Sequence, residues 1–344
     1  MPFSSGIQPV GASFTEYSAI TRRAFVPTMY VQLYNSSPTF AALMQNSKVA
    51  SGGISSITVP VQGQSLTTPQ WVGFDGSFSQ PANVQGIQPA EFNLKGIVTP
   101  IPFYGFEGAI QADHAIIPRI EAVFNDATNS TVDVLSNALF TNVSNAQQLI
   151  GVNAAFDDGT NAATYGNINR SASTFWQGKV YSAGATAPTR SLVLSYLVGV
   201  NKYGSEMPTM AVMGLGTWLK LVTTDFAPLE SYQITPGTSF DGGSDSDRPR
   251  ALFRALDIGG VPIYADPYCP EGIMYIWHSA YTSLYFHSMA NFSFTGFESL
   301  LPVYQIGYIG GVVTLLELVT AKPRTTGRVG NVGTAGTQFT FTVI

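Results

Sequence analysis

The chain has 344 residues, enough for one elaborate domain or two compact ones with a sizeable core. Only 11% are charged, against about 25% in ordinary soluble domains, while 45% are hydrophobic. The formal net charge of −5 excludes a protein that grips nucleic acid over its whole surface, and 22 Phe, 16 Tyr and 4 Trp exclude a solvated coil. So little charge leaves two readings: a surface largely covered by other subunits, or an extracellular β-rich protein. Cys269 is the sole cysteine, so no intrachain disulfide forms and packing must hold the fold.

Met1 to Ser5 lacks the basic and apolar runs of a signal peptide. Residues 1 to about 35 read as an extended arm whose Phe14, Tyr17, Phe25, Tyr30 and Tyr34 imply that a partner docks it. From Ser51 to Asn93 the pattern is β-structure with long loops. Ile54, Ile57, Val59 and Val61 favour a strand and Gln62-Gly63-Gln64-Ser65 a turn; Trp71, Phe74 and Phe78 follow, spaced by glycines. Without a single Lys or Arg, and with aromatics that are costly in water, this segment is expected to lie as a hairpin on a neighbouring subunit. Phe92 to Ala109 continues as strand.

The clearest helix follows. Pro118 suits a first turn, and Ile120, Val123, Phe124, Ala127, Thr131, Val134, Leu135 and Ala138 form one apolar stripe. Glu121, Asn125, Asn129, Asp133 and Asn137 take the opposite face. About 25 residues make a strut of roughly 35–40 Å. Loops then run through Asp157-Asp158-Gly159 to Trp176, and a second helix spans about 190–203, stopped by Gly204. A short buried strand at 207–213, a short helix at 217–224 and a polar loop at 241–250 come next. Strands are predicted near 252–258, 260–265, 273–278 and 282–287, with a final strand pair over about 303–323. The uncharged run from Ser299 to Leu316 reaches the minimum length of a membrane span. Its Pro302, Gly307, Gly310 and Gly311, and its β-branched and aromatic residues, read as strand instead. The order is α+β, with one subdomain inserted between the two chain segments that build the other.

Chemistry finds no home in this pattern. His114, His278 and His287 have no metal-pair spacing, and Asp113 beside His114 reads as a helix cap. The nucleophile elbow, P-loop and dinucleotide fingerprint are all missing. No catalytic residue, cofactor or metal is expected.

Several local motifs carry a resemblance. They are Leu149-Ile150-Gly151 just after the long helix, Tyr165-Gly166-Asn167-Ile168-Asn169-Arg170-Ser171 followed by Trp176, Gly259-Gly260-Val261-Pro262-Ile263 leading through Pro270-Glu271-Gly272 to Met274-Tyr275, and Leu316 to Pro323 as a closing strand. In this order the chain resembles the major capsid proteins of tailed double-stranded-DNA bacteriophages, the HK-97-like fold. The resemblance implies an N-terminal arm (1–50), an extended E-loop β-hairpin (51–93), P-domain strands with a long spine helix (94–185), an inserted A-domain (186–300), and a return strand with a C-terminal tail (301–344). It implies a structural protein, not an enzyme, that self-assembles as hexamers and pentamers into the icosahedral head shell of the virion, assembled in the host cytoplasm. Its partners would be copies of itself, a separate scaffolding protein, a portal and a decoration protein, with only weak non-specific contact to packaged DNA and none to membrane.

Some relatives weld their shells through an E-loop lysine. The segment 51–93 has none, so a non-covalent shell is expected. Candidate intersubunit contacts are Trp71, Phe74 and Phe78 in the hairpin, Arg170, and Asp241, Asp245 and Arg248 in the polar loop. The rival readings are an encapsulin-like compartment shell and, from another class, a tail or adhesin protein that binds a receptor. The long amphipathic helix and the α/β middle oppose the latter.

Overall fold

The computed structural model describes residues 37–51, 53–63, 70–77, 86–104, 113–141, 147–226, 255–300 and 305–333. Residues 1–36 of the expected arm, Phe78, and the 241–250 loop with Asp241, Asp245 and Arg248 lie outside the described residues, while the rest of the arm folds as a helix and a strand.

Helix α1 (Pro38–Gln45) is capped by Ser37, whose hydroxyl accepts from the Phe40 N–H and donates to the buried carboxylate of Asp266. Strand β1 (Lys48–Ala50) follows, and then β2 (Ser56–Gln62) and β3 (Ile87–Asn93) form an isolated antiparallel ribbon. The run expected from Phe92 to Ala109 breaks at Leu94: β4 (Lys95–Tyr104) leaves the ribbon for another sheet.

Helix α2 (Asp113–Phe140) has 28 residues, about 42 Å. It begins five residues before Pro118, with Asp113 as its first residue instead of its cap. Phe124, Ala127, Thr131, Val132, Leu135, Ala138 and Leu139 are buried, and Asn129, Asp133 and Asn137 face outward as the periodicity predicts. Val134, expected in the stripe, is 51% exposed. After Thr131 the helix offers either a three- or a four-residue step, and the sheet beneath takes Leu135.

Next come α3 (Val152–Ala155), the short strands β5 (Thr164–Tyr165) and β6 (Ile168–Asn169), then β7 (Lys179–Ser182) and α4 (Arg190–Gly204). Thr189 caps α4 by accepting from the Leu192 N–H, and the chain leaves it through left-handed Ser205. The sequence continues with β8 (Met210–Gly214), α5 (Leu215–Leu221), β9 (Ala255–Ile258), β10 (Val261–Asp266) and β11 (Met274–Trp277). It closes with β12 (Thr282–His287), β13 (Ser293–Phe294), β14 (Glu298–Ser299), β15 (Gly307–Thr320) and β16 (Gly327–Gly330).

Two six-stranded sheets organise these elements. The first is built on β15, a single 14-residue strand where a strand pair was expected. Within it Gly310 serves packing: a Cβ there would come within 2.8 Å of the Phe294 ring. One edge of β15 pairs with β4, the other with β12, β13 and β14 in succession, and β1 adds parallel to β12. Helix α2 covers one face of this sheet. Thr131 and Thr99 share a hydrogen bond of 2.6 Å, and Phe124 meets Phe294 edge-on at 5.0 Å.

The second sheet has the order β7-β16-β11-β8-β10-β9 and mixes parallel and antiparallel pairs. Its central strands β8 and β11 are buried on both sides, so they read as unbroken apolar runs without alternation. Met210, Val212, Tyr275 and Trp277 join the core of the first sheet, where Phe140 packs at a tilt against Tyr275 and Phe156 against Trp277. Ala211, Met213, Met274 and Ile276 face α4 through Val193, Leu197 and Val200.

Several sequence expectations are corrected here. The strands at 260–265 and 273–278, which the resemblance implies as a pair, are not neighbours, because β8 runs between β10 and β11. Gly259-Gly260 does make the tight turn of a hairpin, but it joins β9 to β10, with φ of +65° and +83°. The sheets also cross the predicted subdomain limits: β12, β13 and β14 belong with β15, while β7 and β16 belong with β8. Antiparallel pairing of β12 with the far end of β15 leaves no other place for them.

Candidate functional site

Between β2 and β3 the described residues 70–77 leave the body of the protein. Trp71 is 104% and Phe74 112% exposed, as open as in an unfolded peptide, and Val72 is 47% exposed. The only charge nearby, Asp75, is engaged by the Ser77 hydroxyl at 2.8 Å, which holds its carboxyl below the ordinary range. Two bulky aromatics in water without a core beneath them are unfavourable for an isolated subunit.

The base of this ribbon is firmly held. Phe92 and Ala90 are buried, and Phe92 meets Tyr165 edge-on at 5.0 Å. The β5–β6 turn, Gly166-Asn167, has both residues at positive φ. Its Gly166 carbonyl accepts from the Glu91 N–H, and the Asn167 amide donates to the Glu91 carboxylate. A Cβ on Gly166 would lie 2.7 Å from the Phe92 ring, so the glycine is needed for close approach as well as for its turn. Pro60 and Pro89 stand opposite each other in the ribbon and remove a backbone donor from each strand. Contact through the face and tip is thereby favoured over strand addition.

A second apolar surface lies on the first sheet, on the face away from α2. Register places Val98 beside Val313, Pro100 beside Gly311 and Pro102 beside Ile309. Val98 is 61% and Ile309 38% exposed, Pro100 and Pro102 are exposed, and no charge lies among these six.

Farther along the same face β15 is covered by the turn after α2. Gly151 packs on the last carbonyls of that helix: a Cβ would sit 2.3 Å from the Leu139 oxygen. Only glycine lets the chain turn this closely over the helix end. Glu317, wholly buried, accepts the Ile150 N–H at 3.0 Å and the Leu318 N–H at 3.1 Å through one oxygen. Burial raises its pKa to about 8, against the pull of those two N–H groups and of Lys95.

Arg170 is a correction. Expected at a subunit contact, it is wholly buried inside its own subunit. Its guanidinium donates to the carbonyls of Ala154 (2.6 Å), Ala155 (2.8 Å), Ala162 (3.3 Å) and Trp176 (3.3 Å), lies 4.0 Å from Asp157 and stacks 4.8 Å from the Tyr165 ring. It ties α3 to the β5–β6 hairpin and the Trp176 turn. Asp157 caps its own loop by accepting from the Gly159, Asn161 and Ala162 N–H groups. The sequence around Arg170 holds a signal for this: an arginine among turn residues, followed closely by a tryptophan.

Glu271 and the Asp133–Tyr268 pair were also missed. Glu271 accepts from the Gly216 and Thr217 N–H groups, capping α5, and the Tyr268 hydroxyl donates to Asp133 at 2.6 Å, tying α2 to the second sheet. Among the described residues no group of three or more His, Cys, Asp or Glu is placed to hold a metal ion, and no helix is long and apolar enough to cross a membrane.

No protein-family model matches the chain, and no curated protein matches it in sequence. Solved structures do. The capsid subunit of cyanophage A-1(L) superposes with a TM-score of 0.61 at 13% identity, covering 87% of this chain and 93% of that one. The capsid of a native GTA particle gives 0.55 at 10% identity, covering 85% and 90%. The SrpI encapsulin of Synechococcus elongatus gives 0.54 at 10% identity, covering 87% and 90%. The chain therefore has the mixed α/β fold of capsid and encapsulin shell subunits.

Proposed function

We propose that this chain is the major capsid protein of a tailed double-stranded-DNA bacteriophage, a structural protein that self-assembles into an icosahedral head shell and sits in the virion. The observation that carries the reading is a shell-subunit fold whose ribbon holds Trp71 and Phe74 wholly outside its own core. Such side chains gain most when a second copy covers them, by about 1.5–3 kcal/mol for each fully buried large apolar side chain. The charge-free face of Val98, Pro100, Pro102 and Ile309 is a surface of matching character on that copy. Heterologous contacts of this kind close into rings around symmetry axes.

Within this reading the ribbon of β2 and β3 is the E-loop, the β15 sheet with α2 the P-domain and its spine, and the β8 sheet with α4 the A-domain. The lattice is non-covalent, since residues 51–93 carry no lysine. A separate scaffolding protein, a portal and a decoration protein complete the set of partners, with assembly in the host cytoplasm. The role is architectural, without catalysis.

An encapsulin-like compartment has the same fold, and the two readings differ in what the particle encloses. Electron microscopy of the recombinant chain is the test. Closed icosahedral particles, hexamers or pentamers are expected, and discrete monomers or trimers overturn the shell reading. Particles that enclose an enzyme in the native host, and no nucleic acid, favour the compartment.

A further inference from the structure

Cationic side chains stand at the C-terminal end of α4. Tyr203, in the last turn of α4, has the Lys179 ammonium 5.4 Å and the Arg324 guanidinium 4.9 Å from its ring centre. Its hydroxyl donates to the Thr174 carbonyl at 3.3 Å, which fixes the ring. Lys179 also lies 5.7 Å from the Tyr181 ring. Lys202, exposed beside Tyr203, occupies the helix end where the backbone dipole favours a cation. Lys322 is near in sequence to Arg324, but it is paired with Glu206 at 2.6 Å. Glu206 in turn takes the Tyr281 hydroxyl at 2.8 Å and faces His278 at 3.9 Å, so the one carboxylate of this corner is already engaged. Among the described ion pairs none includes Lys179, Lys202 or Arg324.

We propose that Lys179 and Arg324, which flank the Tyr203 ring, together with Lys202 in the same last turn of α4, form a docking patch for the phosphate backbone of nucleic acid. On a protein of net charge −5 with 16 basic residues, two cations share one ring and a third stands in the adjoining helix turn, and these three have no carboxylate partner among the described ion pairs. The ring contacts hold two cations in place, and Arg324 presents a planar fork suited to two phosphate oxygens. A second copy of the chain is the poorer occupant. Its described carboxylates are scattered, and most are already bonded: Asp75 to Ser77, Glu91 to Asn167, Asp133 to Tyr268, Asp158 to Thr160 and Asp257 to the Gly260 N–H. Because both cations stand over the Tyr203 ring, the patch offers charge without a free stacking platform. Binding is therefore weak, independent of sequence and sensitive to salt.

The setting inside a filled shell rests on the proposed function, but the chemistry does not. The two are separated by measuring DNA binding on unassembled full-length protein and particle formation in parallel. Fluorescence anisotropy with a short random-sequence duplex is expected to show affinity falling about 40-fold between about 50 and 200 mM salt, the release of ions from three phosphates. The triple variant K179Q/K202Q/R324Q, with melting temperature as a fold control, is expected to lose this dependence and still assemble. The proposal is overturned if the wild type does not bind the duplex at low salt, or if the variant binds it equally well. It is also overturned if the variant blocks particle formation while DNA binding persists, since the patch would then be a contact between copies.

Discussion

Arg170 and Trp71 invert the ordinary distribution of side chains. The arginine is sealed inside the subunit with four backbone carbonyls around it, while the tryptophan stands 104% exposed with nothing beneath it. The two have opposite causes. A buried guanidinium persists because its donors are paired, and losing those pairs would leave carbonyls unsatisfied in a dry site. An exposed indole persists only if something outside the subunit rewards it. The body of the chain carries its own pairings, and the proposed assembly is what would cover the ribbon tip.

The comparison can be broken from either end. Arg170→Met should have the largest effect, stranding four carbonyls and the Asp157 carboxylate, at a cost of about 3–5 kcal/mol. Recombinant protein should lose its cooperative thermal melt or its soluble yield, and an unchanged melt would show that the clamp is ornamental. Gly151→Ala comes next. The new methyl must displace the end of α2 or the turn above it, and about 1–3 kcal/mol of stability should be lost in denaturant unfolding. The double substitution Trp71→Ser with Phe74→Ser is the converse case. Subunit stability should move by no more than about 0.5 kcal/mol, as for exposed sites elsewhere, while particle formation seen by sedimentation should fail. Equal loss of stability and assembly would mean that the tip belongs to the fold.

Glu317→Gln sharpens the comparison most gently. The folded carboxyl titrates near pH 8 where an ordinary glutamate titrates near 4.5. Its contribution to stability is thus fully present below about pH 4.5 and is lost progressively as pH rises to about 8, because the unfolded chain ionises first. Glutamine keeps the acceptor for the Ile150 and Leu318 N–H groups and removes the charge. The melting temperature of the variant should change less between those pH values than that of the wild type, with the gain largest at the alkaline end. A parallel decline in both proteins would assign the pH dependence to other groups.

Much of the framework was legible. Helical periodicity showed the long strut, since burial on one side leaves a repeat near 3.6 that no tertiary contact is needed to read. The ribbon showed as an aromatic run without Lys or Arg between strand-forming residues. Pairing was less legible. Nothing local in Gly310-Gly311 separates a turn from a strand glycine that makes room for Phe294, and both sides of β8 are apolar, so periodicity cannot say that it divides β10 from β11. Arg170 was placed at a surface because arginine usually lies there. Its four acceptors come from residues 6 to 16 positions away along the chain and converge only after folding.

By itself, then, the sequence determined what depends on composition and short-range order: a chain short of charge, a long amphipathic helix, and a hydrophobic ribbon without lysine. Tertiary structure alone decided which strands share a sheet, that Glu317 and Arg170 are interior, and that Lys179 and Arg324 meet at one ring. Those facts depend on residues distant in sequence, and the free energy of burying or pairing a group is set by neighbours that only the folded chain brings near.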